Sequence, residues 1–292
     1  MDTDKCQVLL QVIDHGSLTA AAQALGYTTS GVSRIVTSLE AELGLTLLLR
    51  SREGAEATPA CRRLLPFLRQ MCRQADCCRQ EAAALRGLEQ GEIAVGIAYG
   101  SYFRDLARLM AAFQAEHPGV TFRTLEGPST RLLRAMEAGQ ADLCLMSERP
   151  GVHQWWPLHT DELLLVLPKT HPQAGKARLP LSILEQAPYV ELYPGEETDN
   201  ALCLRRNRVH PVRRYGCADY ASAVALVEAG LGLMLINALL APTLPGQACY
   251  VPVDPPQTVQ IGLAALPSQQ VSPAARQFLR FVLQDAAFRS AH

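Results

Sequence analysis

The sequence has no surplus of positive charge. Its 292 residues carry 27 Lys and Arg against 28 Asp and Glu, a formal net charge of −1. No global basic field draws in nucleic acid, so any DNA contact must rest on charge gathered on one face. No apolar run reaches membrane-spanning length. The start, MDTDKCQVLL, is acidic where a secretory signal would be basic. Nine cysteines, an odd number, form no paired CxxC pattern. That points to a reducing cytosol rather than a disulfide framework. The motifs of common enzymes are missing too: there is no GxSxG, HExxH or P-loop, and no GxGxxG after a strand. GLGLMLI is glycine-rich but leads into a strand. Glu116, Glu126 and Asp142 lack the paired spacing of acid–base catalysis. No enzyme activity, cofactor, metal or membrane partner is expected. A cytoplasmic protein of two or more domains, with room for a sizeable core, is.

One further absence is local. From Leu18 to Leu39 there is no Asp or Glu, so this surface does not repel phosphates. The spacing predicts a helix over about 18–25, a turn at Gly26, Tyr27 and Thr28, and a second helix over about 30–43. Alanines at 20, 21 and 22 let that second helix cross closely. Leu25, Val32, Ile35, Val36, Leu39 and Leu43 form its apolar stripe. Gly26 suits the positive φ that ends a helix. This is the pattern of a helix-turn-helix, whose second helix enters the major groove. Ser17 caps the first helix and offers a hydroxyl and amides to a phosphate. Thr28, Thr29, Ser30, Ser33, Arg34 and Thr37 are the candidate base and phosphate contacts, joined by Arg50 and Arg52 in a turn over 50–54. An alanine-rich hairpin buried in a core is the plain alternative, and a solvated turn is the plain reading of Arg52.

The run AAxxL, then TTSGVSR, LExxLG and a Leu-rich strand ending at Arg50, resembles the N-terminal winged helix-turn-helix of LysR-type transcriptional regulators. The likeness is dense over residues 4–61. Thr28, Thr29 and Ser30 stand where that family usually has Ser-Gln-Pro. The aromatic of its Leu-Phe-x-Arg and the glycine of its Leu-Thr-x-x-Gly are missing. The resemblance implies an α/β fold class with three parts: a winged helix-turn-helix over 1–58, a linker and dimerisation helix over 59–88, and an effector domain over 89–292. That last part would be two α/β lobes resembling periplasmic binding proteins. Lobe 1 is expected at about 92–160 and 267–292, and lobe 2 at about 161–266.

Thr58-Pro59 reads as a helix start. Cys61, Leu64, Leu68, Met71, Ala75, Cys78, Ala82 and Leu85 then alternate spacings of three and four, as a coiled-coil seam does. A copy of the chain is the expected partner for that seam, since a two-fold reader matches a palindromic operator. A homotetramer is a further expectation, and RNA polymerase is a partner the regulator reading admits. Pro66 should kink or delay this helix, and 87–91 reads as a hinge. From Glu92 onward, strands and helices alternate. IAVGIAYG, VTFRTLEG and ADLCLMS are strands separated by helices over about 103–117 and 130–138, which implies a parallel sheet. LLLVLP, PYVEL, LGLMLI and VQIGLAAL are later strands. Helices are expected over about 181–187, 221–229 and 273–287.

In such sheets ligands sit beyond the carboxyl ends of strands. That rule selects Gly100, Ser101, Tyr102 and Phe103; Pro128, Ser129 and Thr130; Ser147; and in the second lobe Thr198, Asn200, Asp219 and Tyr220. The resemblance points to the same loops. Converging hydroxyls and amides favour a small anionic effector, although each hydroxyl alone reads as a helix cap. Arg205, Arg206, Arg208, His210, Arg213 and Arg214 form a charge run, either an anion-recruiting patch or a solvated face. Cys203 and Cys217 bracket it, and a thiol beside arginines can sense oxidants. The expected protein is therefore a regulator that binds double-stranded DNA under control of a small ligand. A cysteine-based redox regulator is the nearer alternative, and a ligand-binding protein or enzyme without a DNA role the more distant one.

Overall fold

A computed structural model describes residues 2–51, 54–85, 90–151, 153–244, 246–267, 270–286 and 288. Three helices open the chain: α1 (Thr3–His15), α2 (Leu18–Leu25) and α3 (Thr29–Leu43). Each begins on an oxygen that accepts an amide of the first turn: Asp2, Ser17 and Thr28. Each ends on a glycine in the left-handed region, Gly16, Gly26 and Gly44, at φ between 64° and 68°. Cys6, Leu9, Val12, Ala21, Val32, Val36 and Leu39 bury the apolar sides of all three against one another. Leu25, Ile35 and Leu43 border that core and are only half-buried.

Strands β1 (Leu48–Ser51) and β2 (Gly54–Ala57) pair antiparallel as a wing. The sequence places Arg50 and Ser51 in a turn over 50–54; both belong to β1 instead. The start of the wing is tied to α3. One carboxylate oxygen of Glu40 accepts from the amides of Leu47, at 2.7 Å, and Leu48, at 3.2 Å. Arg52 lies outside the described residues, as does most of the predicted hinge.

Thr58 caps the long helix α4 (Pro59–Ala84), which runs on through Pro66. The predicted seam divides. Cys61, Leu68 and Cys72 face α1 and are buried within the chain's own N-terminal domain. Leu64, Phe67, Met71, Cys78 and Leu85 share the adjacent face, since a helix turns about 100° per residue. Phe67 is 69% exposed and Leu85 84%. Arg69 ties α4 to Asp14 of α1 at 2.6 Å, and Arg73 ties it to Asp142 at 3.0 Å.

The C-terminal part is one mixed eight-stranded sheet plus a two-stranded one. In lobe 1, β3 (Gly91–Ile97) lies parallel to β4 (Val120–Glu126) and β5 (Leu143–Ser147). The crossovers are α5 (Phe103–Glu116) and α6 (Ser129–Glu137). The long strand β6 (Gln154–Leu167) then leaves lobe 1 and enters lobe 2. Lobe 2 adds β7 (Leu179–Pro180), a 3-10 turn over Leu181–Glu185 where a helix is expected, β8 (Pro188–Leu192), α7 (Asp199–Arg206), β9 (Val212–Cys217), α8 (Tyr220–Glu228), β10 (Met234–Asn237) and β11 (Cys249–Asp254). Strand β12 (Thr258–Ala265) runs antiparallel to both β6 and β5, so the chain re-enters lobe 1 before residue 267. Helix α9 (Pro273–Gln284) closes the fold.

The sheet is thus not purely parallel. β12 and β6 add antiparallel pairings between segments about a hundred residues apart, which local periodicity does not reveal. The arginine run belongs to two elements. Its first part closes α7 and its last part is the exposed edge strand β9.

Lobe 1 packs around Phe113, whose ring meets Phe278 at 5.2 Å and Phe281 at 5.5 Å, both from α9. Phe113→Ala is expected to destabilise the protein by about 3–5 kcal/mol. Chemical denaturation followed by circular dichroism measures the loss.

Candidate DNA-reading face and inter-lobe cleft

Thr28, Thr29, Ser30, Arg34 and Thr37 are exposed along one side of α3, with Ser33 half-buried beside them. Thr28 Oγ1 accepts from the Gly31 amide at 3.1 Å and lies 3.2 Å from Ser30 Oγ. Ser17 Oγ accepts from the Ala20 amide at 3.4 Å, which makes it a helix cap. Arg50 reaches from the wing across α3. Its guanidinium donates to Ser33 Oγ at 2.7 Å and to Thr37 Oγ1 at 3.4 Å. The wing and the reading helix therefore form one continuous polar face. Ser33 and Thr37 accept from Arg50 and keep their own O–H groups free to donate to a base or phosphate.

The second site lies where the lobes meet. Lobe 1 contributes Tyr99, Ser129, Thr130, Ser147 and Arg149. Lobe 2 inserts Asp199, the first residue of α7. Asp199 Oδ1 accepts from Arg149 Nη2 at 2.7 Å and from Ser147 Oγ at 2.6 Å; its Oδ2 accepts from Tyr99 Oη at 2.5 Å. Arg149 also donates to Ser147 Oγ at 2.6 Å and to Thr130 Oγ1 at 3.1 Å. Ser129 Oγ accepts from the Ser147 amide at 3.0 Å. Thr130 Oγ1 donates to the Glu197 carbonyl at 2.7 Å, and Arg131 pairs with Glu196 at 2.7 Å. The Arg149 and Asp199 side chains are only 8% and 11% exposed. Burial, with Asp199 beside it, holds the Tyr99 phenol well above its usual range, so Tyr99 acts as a donor.

The cavity left in this cleft is about 20 Å³, lined by Tyr99, Ser129, Tyr193, Asp199, Tyr220 and Asn237 among others. That is room for about one water molecule. A separate and wider gap, about 930 Å³, lies between α1, α4 and lobe 1 and is lined with ion-paired side chains such as Arg73 and Asp142.

Pro128, Ser129, Thr198, Asn200 and Tyr220 line the cleft, and Thr130 and Ser147 join its hydrogen-bond network. Other predicted residues stand elsewhere. Gly100, Ser101, Tyr102 and Phe103 are not part of its lining, and Tyr102 is fully buried against Phe288. Asp219 is exposed and caps α8 through the amides of Ala221 and Ser222. None of the charge-run arginines lines the cleft; Arg205 pairs with Glu197 and Arg213 with Glu191, both at the surface.

Sequence reasoning missed Tyr99, Arg149, Tyr193 and Asp199. Arg149 was within reach, two residues beyond Ser147 and so on the same side of an extended chain. Asp199 reads as an ordinary acid in a helix's first turn, and only the tertiary fold places it against Arg149.

Cys203 and Cys217 are free thiols. Burial raises the Cys203 pKa to about 11, outweighing the nearby Arg206, and burial with Asp219 raises that of Cys217. The arginines thus fail to activate either thiol.

A winged helix-turn-helix, a long connecting helix and a two-lobed α/β body with a polar waist define a DNA-binding regulator joined to a ligand-receiving domain. Residues 3–62 match the family described as bacterial regulatory helix-turn-helix protein, lysR family, and residues 86–287 match the LysR substrate binding domain. The chain belongs to the LysR family of transcriptional regulators, a family of regulators rather than enzymes. It is 28% identical to the probable HTH-type transcriptional regulator LrrA of Synechococcus elongatus, over 98% of each chain. It is 31% identical to a probable hydrogen peroxide-inducible genes activator of Mycobacterium avium, over 79% of this chain and 76% of that one. Its fold is similar to that of the regulator CbnR, with TM-score 0.63, 20% identity and coverage of 98% and 99% of the two chains. It is similar also to a full-length OxyR variant of Pseudomonas aeruginosa, with TM-score 0.72, 18% identity and coverage of 99% and 96%. Among the described residues no helix is long and apolar enough to cross a membrane.

With its pKa near 11, about one Cys203 thiol in a thousand is ionised at pH 8. Iodoacetamide at that pH is expected to leave Cys203 unmodified in the native protein and to alkylate it after unfolding. Peptide mass spectrometry reads the difference.

Proposed function

We propose that this chain is a dimeric regulator of transcription in the cytoplasm whose operator binding is controlled by a small anion in the inter-lobe cleft. The observation that carries the reading is the acid-free stretch of α3 from Thr29 to Leu39, whose polar side is open to solvent beside the wing. Thr29, Ser30 and Arg34 supply base-edge or phosphate contacts, and Thr28 and Ser17 present helix N-termini to the backbone. Arg50 holds the wing against α3, where its guanidinium also lies 3.9 Å from the Glu40 carboxylate.

The outward stripe of α4, with Phe67 and Leu85 exposed, is the surface that pairs two chains. Two copies of α3 then read the halves of a palindrome. Through α4 and its contacts Arg73–Asp142 and Arg276–Glu81, a change at the lobes reaches the readers. Tetramers and contact with RNA polymerase remain extensions of this reading. Oxidant sensing through Cys203 and Cys217 is the weaker alternative. The name of the mycobacterial relative favours it, but the raised thiol pKa values count against it.

Arg34→Ala is expected to weaken binding to the operator upstream of the chain's own gene by about 1–3 kcal/mol, if Arg34 makes a bidentate base contact. A gel shift at fixed salt measures this, and unchanged affinity removes Arg34 from the face. Phe67→Glu, on the outward stripe, is expected to turn dimers into monomers in sedimentation velocity. A variant that sediments like the parent would place the interface elsewhere.

A further inference from the structure

The inter-lobe cleft is built to receive a carboxylate, and it already holds one. Asp199 comes from lobe 2, yet both its oxygens are taken by lobe 1: Oδ1 by Arg149 and Ser147, Oδ2 by Tyr99. Ser129 and Thr130 in turn orient Ser147 and Arg149. A planar guanidinium and two hydroxyls around one carboxylate make the donor set that recognises a free carboxylic acid. The space beside it is about 20 Å³, so no organic anion enters while Asp199 stays.

We propose that Asp199 is an internal ligand: it occupies the anion seat formed by Tyr99, Ser147 and Arg149, latches the lobes together, and yields that seat to a carboxylate effector. This rests on the reading of the cleft as the effector site and names both the effector's charged group and its competitor. The tether gives Asp199 an effective concentration of millimolar order or more. An effector must therefore outbid it with contacts elsewhere in the cleft. Binding is then coupled to lobe opening, because the displaced residue starts α7. Tyr193, at the cleft edge, has a backbone φ of 49°, a conformation that a bulky side chain adopts only under outside constraint.

Removing the internal carboxylate should leave the seat vacant for a small external one. The test is thermal unfolding of the full chain with sodium formate, against sodium chloride at equal concentration. Formate is expected to raise the midpoint of Asp199→Ala by about 2–4 °C near saturation. It should leave the wild type unmoved, and leave unmoved the double variant that adds Arg149→Met. If Asp199→Ala lacks a native circular-dichroism spectrum, Asp199→Ser takes its place. A variant folded only in formate supports the latch, while one unfolded in both salts overturns it in favour of a purely structural ion pair. Native variants indifferent to formate overturn it as well.

The latch and the effector reading fail separately. If formate shifts operator affinity in wild type and Asp199→Ala with one midpoint, the effector reading stands and the latch falls. If Asp199→Ala takes up formate through Arg149 but its operator affinity does not respond, the latch stands and the effector reading loses its support.

Discussion

The buried ion pair between Arg149 and Asp199 fixes how the two lobes meet. Withdrawing two charges from water costs several kcal/mol each, and their attraction offsets this only when every remaining donor and acceptor is satisfied. Here Ser147, Thr130 and Tyr99 complete the shell, and Ser129 braces it from below. Such a shell tolerates little displacement. A shift of α7 by a fraction of its diameter would strip hydrogen bonds from a charge that cannot reach solvent. The closed arrangement is therefore a discrete state rather than one point in a continuum.

The N-terminal domain shows the same economy on a smaller scale. Glu40 belongs to α3, but its carboxylate receives the amides that begin the wing. Arg50 returns from the wing to the hydroxyls of α3. Helix and wing thus hold each other in register, and the polar face they share is ordered before any duplex arrives. Less side-chain entropy is then lost on binding. The same domain lends its core to α4 through Cys61, Leu68 and Cys72, so the reader and the connecting helix turn together.

What the sequence discloses follows the range of the interactions. Helices α2, α3 and α4 are written locally: a capping hydroxyl, an apolar stripe, a terminal glycine or a proline at the first position. The strands of lobe 1 are equally plain, as short apolar runs between helices. Helix α7 was hidden because its eight residues end in a charge run, and Thr198 alone does not announce a start. Strand β9 is exposed on nearly every residue, so it carries no alternation to read. The long pairing of β6 with β12 lies beyond any local signal. The cleft was legible only in part, because Ser129, Thr130 and Ser147 stand at strand ends where a general rule finds them. Tyr99 and Asp199 acquire meaning only once lobe 2 folds back over lobe 1. On α4, periodicity marked the apolar residues but could not say which of two adjacent faces the chain would keep for itself.

Strand β6 passes through both lobes without interruption. Residues 154–162 pair with β12, while 163–167 lie between β10 and β11. The lobes are accordingly two ends of one ribbon rather than two bodies on a string. They cannot slide apart without breaking ladder hydrogen bonds, so the soft motion left to them is a twist about a shared spine. A twist of that kind sweeps the outer rim of each lobe through an arc that grows with distance from the axis. A change of one hydrogen-bond length at the waist is thereby geared up at the periphery.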